Sequence, residues 1–259
     1  MAAILDAQHL CKSFGAVTAA NDVSAGIEKD SVVGLIGTNG AGKTTFINMI
    51  TGYLKPDRGT IEFEGRDITR LPPRDITRLG IARSFQIPQL YSSLSVLENM
   101  LVALGVVLRN AGRGGYFSRG RPPVPGFEAP ADEAAERLLE RFGLAEYRDR
   151  NAQVLPGGVR KLLDIALAMV AKPKILLLDE PTSGVSAQEK FGIMEMVLDA
   201  VRAEGATVLF VEHDMEIVSR FAERVLAFYD GRIIADGAPQ VVLNDPEVKR
   251  FVVGIHAQD

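Results

Sequence analysis

The sequence predicts an α/β fold, and three observations predict it. An apolar run, Val32-Val33-Gly34-Leu35-Ile36, passes directly into the glycine-rich loop GTNGAGKTT at residues 37–45 and from there into helical periodicity. Two further runs, Ile175-Leu176-Leu177-Leu178 and Thr207-Val208-Leu209-Phe210-Val211, are apolar without alternation, the pattern of strands buried on both faces. Between such runs lie stretches with apolar residues at helical spacing, so strand and helix alternate along the chain.

The loop fits G-x-x-x-x-G-K-[ST] through Gly37, Gly42, Lys43 and Thr44, in the strand, loop and helix context that gives this motif its meaning. Glycines let the loop wrap tightly, so that successive backbone N–H groups, from Gly37 through Thr38, Asn39, Gly40, Ala41 and Gly42 to Thr45, converge on phosphate oxygens. The helix that follows adds its positive dipole end. Lys43 would reach the β- and γ-phosphates as a point charge, and the Thr44 hydroxyl would ligate Mg²⁺. A dinucleotide fingerprint fails, because Gly40-x-Gly42 needs a glycine at position 45 and Thr45 stands there.

Composition narrows the class. A chain of 259 residues with 47% hydrophobic content can bury a substantial core, as one large domain or a core with a smaller lobe. A net charge of −4 leaves no footprint of clustered Lys and Arg, so no nucleic-acid partner is expected. The single cysteine, Cys11, excludes an internal disulfide and fits a reducing compartment. No stretch approaches about eighteen uninterrupted apolar residues, and MAAILDAQHLCK has neither the charged start nor the long apolar segment of a signal peptide. The expectation is a cytosolic chain whose membrane role, if any, comes through a partner.

In order, residues 4–10 read as a strand, and residues 17–27 as a second strand pair leading to the run before the loop. His9 and Cys11 are too few for a zinc site, since only three histidines exist in the chain. Phe14 either packs in the core or stands at a loop tip, where its face could stack on a purine. The helix from the phosphate loop runs through Phe46, Ile47, Met49 and Ile50 to about Gly52. Residues 55–59 make a turn, 60–64 a short strand, Pro72 and Pro73 open a short helix, and 81–85 is a strand ending at Gln86. Ser95 with Glu98 three residues on is a capping box that starts a helix to about Leu108.

Residues 110–130, rich in glycine, proline and arginine, carry no periodicity and read as an insertion or lid, in which Arg113, Arg119 and Arg121 could touch phospholipid or a partner but read better as part of a solvated loop. An amphipathic helix follows over 132–142, with Leu138, Leu139 and Phe142 as its apolar face. Residues 87–155 thus read as a mainly helical lobe set into an α/β core of residues 1–86 and 156–259. A helix runs from Val159 to Ala171, another over 187–202, and Asp230-Gly231 joins 225–229 and 232–235 as a hairpin before a helical tail from Pro239.

Acids at the carboxyl end of a buried strand are costly unless they act. The run ending at Leu178 is closed by Asp179-Glu180, and in an α/β sheet that end is where ligands bind, beside the phosphate loop. Asp179 would hold Mg²⁺, and Glu180 would polarise the water attacking the γ-phosphate. The run ending at Val211 is closed by Glu212-His213-Asp214. A lone histidine after a strand is commonly structural, but His213 falls on the edge to which two other strands have already delivered phosphate-site residues.

With these residues placed, the chain resembles the ATP-binding subunits of ABC transporters over essentially its whole length. The motifs stand in that family's order: the aromatic Phe14, Walker A at 37–45, the Q-loop glutamine Gln86, the signature LPGGVRK at 155–161, Walker B ending at Asp179 with Glu180, a D-loop at 183–186, and His213. The resemblance implies a P-loop NTPase core with an antiparallel β subdomain and an inserted helical subdomain, and ATP and Mg²⁺ as cofactors. It further implies that Phe14 stacks on adenine, that Gln86 senses Mg²⁺ and the γ-phosphate while linking to the membrane partner, with Ile87, Pro88, Leu90 and Tyr91 as the Q-loop surface that meets the permease, and that His213 contacts the γ-phosphate. Such subunits form head-to-tail dimers, so Leu155, Gly157 and Gly158 would meet the ATP held by the opposite chain.

Within the family, RSFQIPQLYSSLSVLENMLVA, VEHDMEIV and GRIIADGAPQVVLNDPEV resemble the branched-chain amino-acid importer group, the LivG type. Related importers of urea, amides and aromatic acids share much of this. The group implies two transmembrane permease subunits, a sister ATP-binding subunit or second copy, and a periplasmic or extracellular substrate-binding protein. The chain would then sit at the cytoplasmic face of a bacterial inner membrane. Two departures stand out: Pro156 and Val159 replace the Ser and Gln of Leu-Ser-Gly-Gly-Gln, and Ser186 takes the place of an acid or asparagine in the D-loop. A soluble ABC-type clamp on DNA or ribosomes would bring a second ATPase half, a coiled coil, zinc cysteines or a basic surface, none of which is present. A GTPase would need Asn-Lys-x-Asp, a P-loop kinase would have no use for Gly157-Gly158 or His213, and a hydrolase triad lacks Gly-x-Ser-x-Gly.

Overall fold

A computed structural model describes residues 3–84, 90–113 and 122–254. In chain order these form β1 (Ala3–Phe14), β2 (Val17–Glu28), β3 (Val32–Gly37), α1 (Lys43–Ile50), β4 (Arg58–Phe63), β5 (Arg66–Asp67), α2 (Pro73–Leu79), β6 (Ile81–Arg83), α3 (Val96–Asn110) and α4 (Ala131–Arg141). They continue as α5 (Gly157–Met169), β7 (Ile175–Asp179), α6 (Lys190–Arg202), β8 (Thr207–Val211), α7 (Met215–Phe221), β9 (Arg224–Tyr229), β10 (Arg232–Gly237) and α8 (Pro239–Val242). Two compact units result. The first takes residues up to 81 with 177–180 and those from 207 onward; the second takes 82–176 and 181–206.

In the first unit an antiparallel sheet has the order β2-β1-β4-β5, and a mixed sheet runs β10-β9-β3-β8-β7. β3, wholly buried, pairs in parallel with β8 on one side and β9 on the other, with Leu35 opposite Val211 and Gly37 opposite Phe228. The three unbroken apolar runs are therefore neighbours or near neighbours, and their carboxyl ends fall on one edge. Burial on both faces is what removes the alternation from their sequences. Behind the edge, Phe46 of α1 meets Phe228 of β9 with ring centroids 5.6 Å apart.

The start of the chain corrects the sequence reading. The segments read as a short strand at 4–10 and a strand pair at 17–27 are two long strands paired with each other, each twelve residues long. Bulges conceal this from periodicity, because each extra residue shifts the in-out alternation by one. His9 (φ 54) and Asp22 (φ 61) lie in the left-handed region, and they face each other with His9 Nδ1 2.7 Å from Asp22 Oδ1. The His9 ring is thus engaged by a carboxylate, and among the described residues no cluster of three metal-ligating side chains occurs. Phe14 resolves to a hairpin tip, closed by Gly15 (φ 60), and the residue is 52% exposed.

The second unit is helical. The capping box of α3 forms as read: Ser95 Oγ accepts from Glu98 N at 3.1 Å, and Ser95 N donates to the Glu98 carboxylate at 2.8 Å. Two helix starts move. α5 begins at Gly157, two residues earlier than Val159, because Pro156 in an extended conformation (ψ 153) can serve as its N-cap. α6 begins at Lys190, since Ser186 donates its hydroxyl to Glu189 at 2.5 Å and closes a turn over 186–189. The strand read to Phe85 ends at Arg83 among the described residues, and Phe85 lies outside them.

The insertion is partly core. Val124 and Ala129 are buried, Val124 N donates to Ala129 O at 2.8 Å, and Arg113 donates to Pro123 O at 3.0 Å. Lys172 sits 4.6 Å from the centroid of the Phe127 ring. Arg119 and Arg121 lie outside the described residues. The tail is helical in short pieces after Pro239, with Asp245 capping the turn at Pro246–Val248. No helix among the described residues is long and apolar enough to cross a membrane.

Candidate functional site

The loop between β3 and α1 has the geometry of a phosphate cradle. Gly37 (φ 151) and Gly42 (φ 108) take backbone angles that side chains rarely adopt. A Cβ at Gly37 would stand 2.5 Å from Phe228 O, and one at Gly42 would stand 2.8 Å from Ala19 O. Ala41 is buried, while Thr38, Asn39, Gly40 and Thr44 are exposed and Thr45 is half-buried. The groups expected to meet a ligand thus remain accessible on a loop whose base is packed.

Lys43 is 6% exposed, and its Nζ donates to Gly37 O at 2.6 Å and Thr38 O at 3.0 Å. Burial lowers its pKa below the ordinary lysine range, and the carboxylates of Glu180 and Asp179 act in the opposite sense. A cation and two carboxylates therefore share one field at the end of the sheet.

β7 and β8 deliver the rest. Glu180 N donates to Val211 O at 3.0 Å, which ties the residue after β7 to the last residue of β8. Glu180 itself has φ 48, a left-handed conformation that a glutamate adopts only at a cost of about 1–2 kcal/mol. Strain of this kind persists where surrounding structure over-determines it, as at functional sites. Its Oε1 lies 3.2 Å from His213 Nε2, and both side chains are partly exposed. Glu212 is buried and accepts from His213 N at 3.2 Å, so the backbone that carries the imidazole is fixed from behind.

A support that the sequence reading did not assign lies beneath the loop. The β9–β10 turn places Gly231 N 3.0 Å from Ala41 O, and Gly231 O accepts from Asn21 N at 2.8 Å. The Asp230-Gly231 dipeptide announces a turn; its place under the loop follows from β9 lying beside β3. The same β2 residues, Thr18 and Ala19, that approach Gly231 and Gly42 continue back to the hairpin tip bearing Phe14.

The residues present fit a nucleoside triphosphate with Mg²⁺. The cradle excludes any side chain at Gly37 and Gly42, Lys43 supplies the cation, and Thr44 and Asp179 offer hard oxygen ligands of the kind Mg²⁺ takes along with phosphate oxygens and water. Gln86 lies outside the described residues, as do Ile87 and Pro88; Leu90 and Tyr91 are described. Phe14, the loop, Asp179, Glu180 and His213 belong to the first unit, and Leu155, Gly157 and Gly158 to the second. There Leu155 is buried, Pro156 and Gly157 are exposed, and the N-terminus of α5 carries no side-chain cap.

The chain is similar to known proteins over nearly its whole length. Residues 20–183 match the sequence family described as ABC transporter. The chain is 40% identical over 260 residues to a probable branched-chain amino acid transport ATP-binding protein LivG of Archaeoglobus fulgidus, covering 99% of this chain and 96% of that one. It is 37% identical over 254 residues to the high-affinity branched-chain amino acid transport ATP-binding protein LivG of Escherichia coli, covering 97% and 98%. Among solved structures, the ADP conformation of MJ1267, an ATP-binding cassette of an ABC transporter, is similar with a TM-score of 0.81 and 34% identity, covering 96% of this chain and 98% of that one.

Proposed function

This chain belongs to the ABC transporter family, and from that premise we propose that it hydrolyses ATP to drive import of branched-chain or related amino acids through membrane partners. The observation that carries the reading is the convergence of Lys43, Glu180 and His213 at one sheet edge, with the Glu180 carboxylate 3.2 Å from the imidazole. The names of the similar LivG proteins point to the cargo class.

In this reading the loop N–H groups from Gly37 to Thr45 hold the β- and γ-phosphates, Lys43 turns from its loop carbonyls to the γ-phosphate, and Phe14 stacks on adenine. Mg²⁺, held by Thr44, Asp179 and Gln86, would neutralise charge on the phosphates. Glu180 orients and polarises a water whose oxygen attacks the γ-phosphorus as the bond to the ADP oxygen breaks. His213 donates to the γ-phosphate and holds Glu180 in place. No covalent intermediate is needed, since placement and electrostatics carry phosphoryl transfer.

Residues 87–155 would act as a helical subdomain facing two permease subunits, set into the ATPase core of 1–86 and 156–259. A head-to-tail partner, a sister chain or second copy, would offer its signature to this ATP, and Leu155, Gly157 and Gly158 would serve the partner's. The assembly would lie on the cytoplasmic face of a bacterial inner membrane, served by a substrate-binding protein outside. The test is to tag the chain, solubilise its host's membranes gently and identify by mass spectrometry what copurifies. Two polytopic proteins, with or without a second ATPase, are expected. Recovery of ribosomes, nucleic acid or no partner would overturn the transporter reading, and a binding protein that prefers urea, amides or aromatic acids would move the cargo class.

The exposed Pro156 begins α5 without the hydroxyl that a serine would direct to the γ-phosphate. One hydrogen bond to a charged group is worth about 1.5–3 kcal/mol. The composite site that uses this signature is therefore the weaker of two in a heterodimer. Pro156→Ser should speed hydrolysis at that one composite site roughly tenfold or more and, with the stronger site already turning over, raise the ATPase rate of the assembled transporter by up to about twofold; a rate left unchanged would remove the proposed asymmetry.

A further inference from the structure

We propose that Asn99 is a positioning residue that pins the Tyr91 segment and, through it, joins the permease-facing surface to the signature segment. The inference rests on the transporter reading above and goes beyond it by naming the mechanical link.

Asn99 lies on α3 and is 2% exposed. All its polar atoms are engaged, and by backbone alone. Its Oδ1 accepts from Tyr91 N at 2.9 Å; its Nδ2 donates to Tyr91 O at 3.1 Å and Ser95 O at 2.9 Å, with Leu94 O at 3.3 Å. A position buried this deeply would be filled as well by leucine if packing were its whole purpose. An amide there is stable only because it reads a particular backbone.

The opposite edge of the same segment is held by residues 148–153. Ser95 bridges Asn151, Ala152 N donates to Leu94 O at 3.0 Å, and Gln153 N donates to Ser92 O at 3.1 Å. Val96 N and Leu97 N close the set on Arg150 O and Arg148 O, each at 3.0 Å. Two residues beyond Gln153 the chain reaches Leu155 and the start of α5. Residues 91–95 are thus clamped between one side chain and the stretch that leads into the signature.

Tyr91 is 59% exposed, although both its backbone groups are fixed by Asn99. A large aromatic presented from an immobilised backbone has the form of a binding anchor, because little further ordering is needed when it is buried. A push on Tyr91 from the cytoplasmic surface of a permease would pass through Ser92 and Leu94 to Ala152 and Gln153, and so to Leu155.

The transporter is assembled in vesicles with its permease partners and binding protein, and supplied with leucine, isoleucine and valine together. Asn99→Asp keeps the size and the acceptor but loses the donor. It should leave the ATP affinity of the isolated chain within about twofold, because the phosphate loop belongs to the other unit, and should cut the cargo-stimulated ATPase rate at least tenfold. Tyr91→Ala should cause a similar loss, and the double variant should be no worse than either single one. Losses that multiply, or an Asn99→Asp transporter stimulated like wild type, would overturn the proposal while leaving the transporter reading intact. Should Asn99→Asp fail to fold, Gln153→Pro removes the exposed-side N–H to Ser92 O and is expected to give the same loss; full stimulation of that variant would sink the link. A wild-type chain that no permease stimulates overturns the transporter reading and this inference together.

Discussion

Replacing Glu180 with glutamine is expected to leave ATP bound and turnover stalled, with kcat lower by about 10²–10⁴-fold, the span that a positioned general base contributes. The residue is held from two directions, its backbone by the N–H on Val211 O and its side chain by the Oε1 contact with His213. Glutamine preserves both size and reach, so what it removes is the carboxylate charge that draws the water's proton. Calorimetry should therefore find ATP affinity near that of wild type, and a phosphate-release assay should find the rate collapsed. A variant that hydrolyses at close to the wild-type rate would take Glu180 out of the role and leave the strained φ at that position without a catalytic reason.

Lys43→Ala should have the second largest effect, and on the opposite quantity. Lys43 is the cation of the cradle, and each charge-assisted hydrogen bond it makes to a phosphate is worth about 1.5–3 kcal/mol. Its loss should weaken ATP binding by roughly ten- to more than a hundredfold. A further cost arises because Gly37 O and Thr38 O lose the donor they have in the folded chain. Lys43→Arg separates the two contributions: the charge survives, but a planar fork cannot occupy a channel shaped for an ammonium between loop carbonyls. Titration calorimetry of the three chains checks this. Unchanged affinity in Lys43→Ala would assign Lys43 to bracing the loop alone.

Much of the fold was legible because its signals are local. The glycine-rich loop, the helix behind it, the two later apolar runs, the capping box at Ser95 and the Asp230-Gly231 turn each depend on residues within a few positions of one another. The long β1–β2 pair was not legible, since bulges at His9 and Asp22 reset the alternation that betrays a strand. The start of α5 was missed because two glycines disfavour a helix locally, and the burial of Val124 and Ala129 because nothing in an aperiodic stretch marks which apolar residues find a core.

The chemistry open to the chain is written in local sequence: residue types that bind phosphate, ligate a hard cation and polarise water, each placed at the end of a recognisable strand. Tertiary structure alone decided that those ends meet. Because β3 lies between β9 and β8, Gly231 comes to brace Ala41, and because Glu180 bonds to the end of β8, its carboxylate comes within 3.2 Å of His213. Asn99 belongs to the same category, a polar residue in an apolar helix whose purpose appears only with the backbone folded against it. The division has a physical basis. Propensity, caps and turns act over a few residues, whereas strand order is settled by burial of whole apolar faces across the chain, which no short stretch encodes.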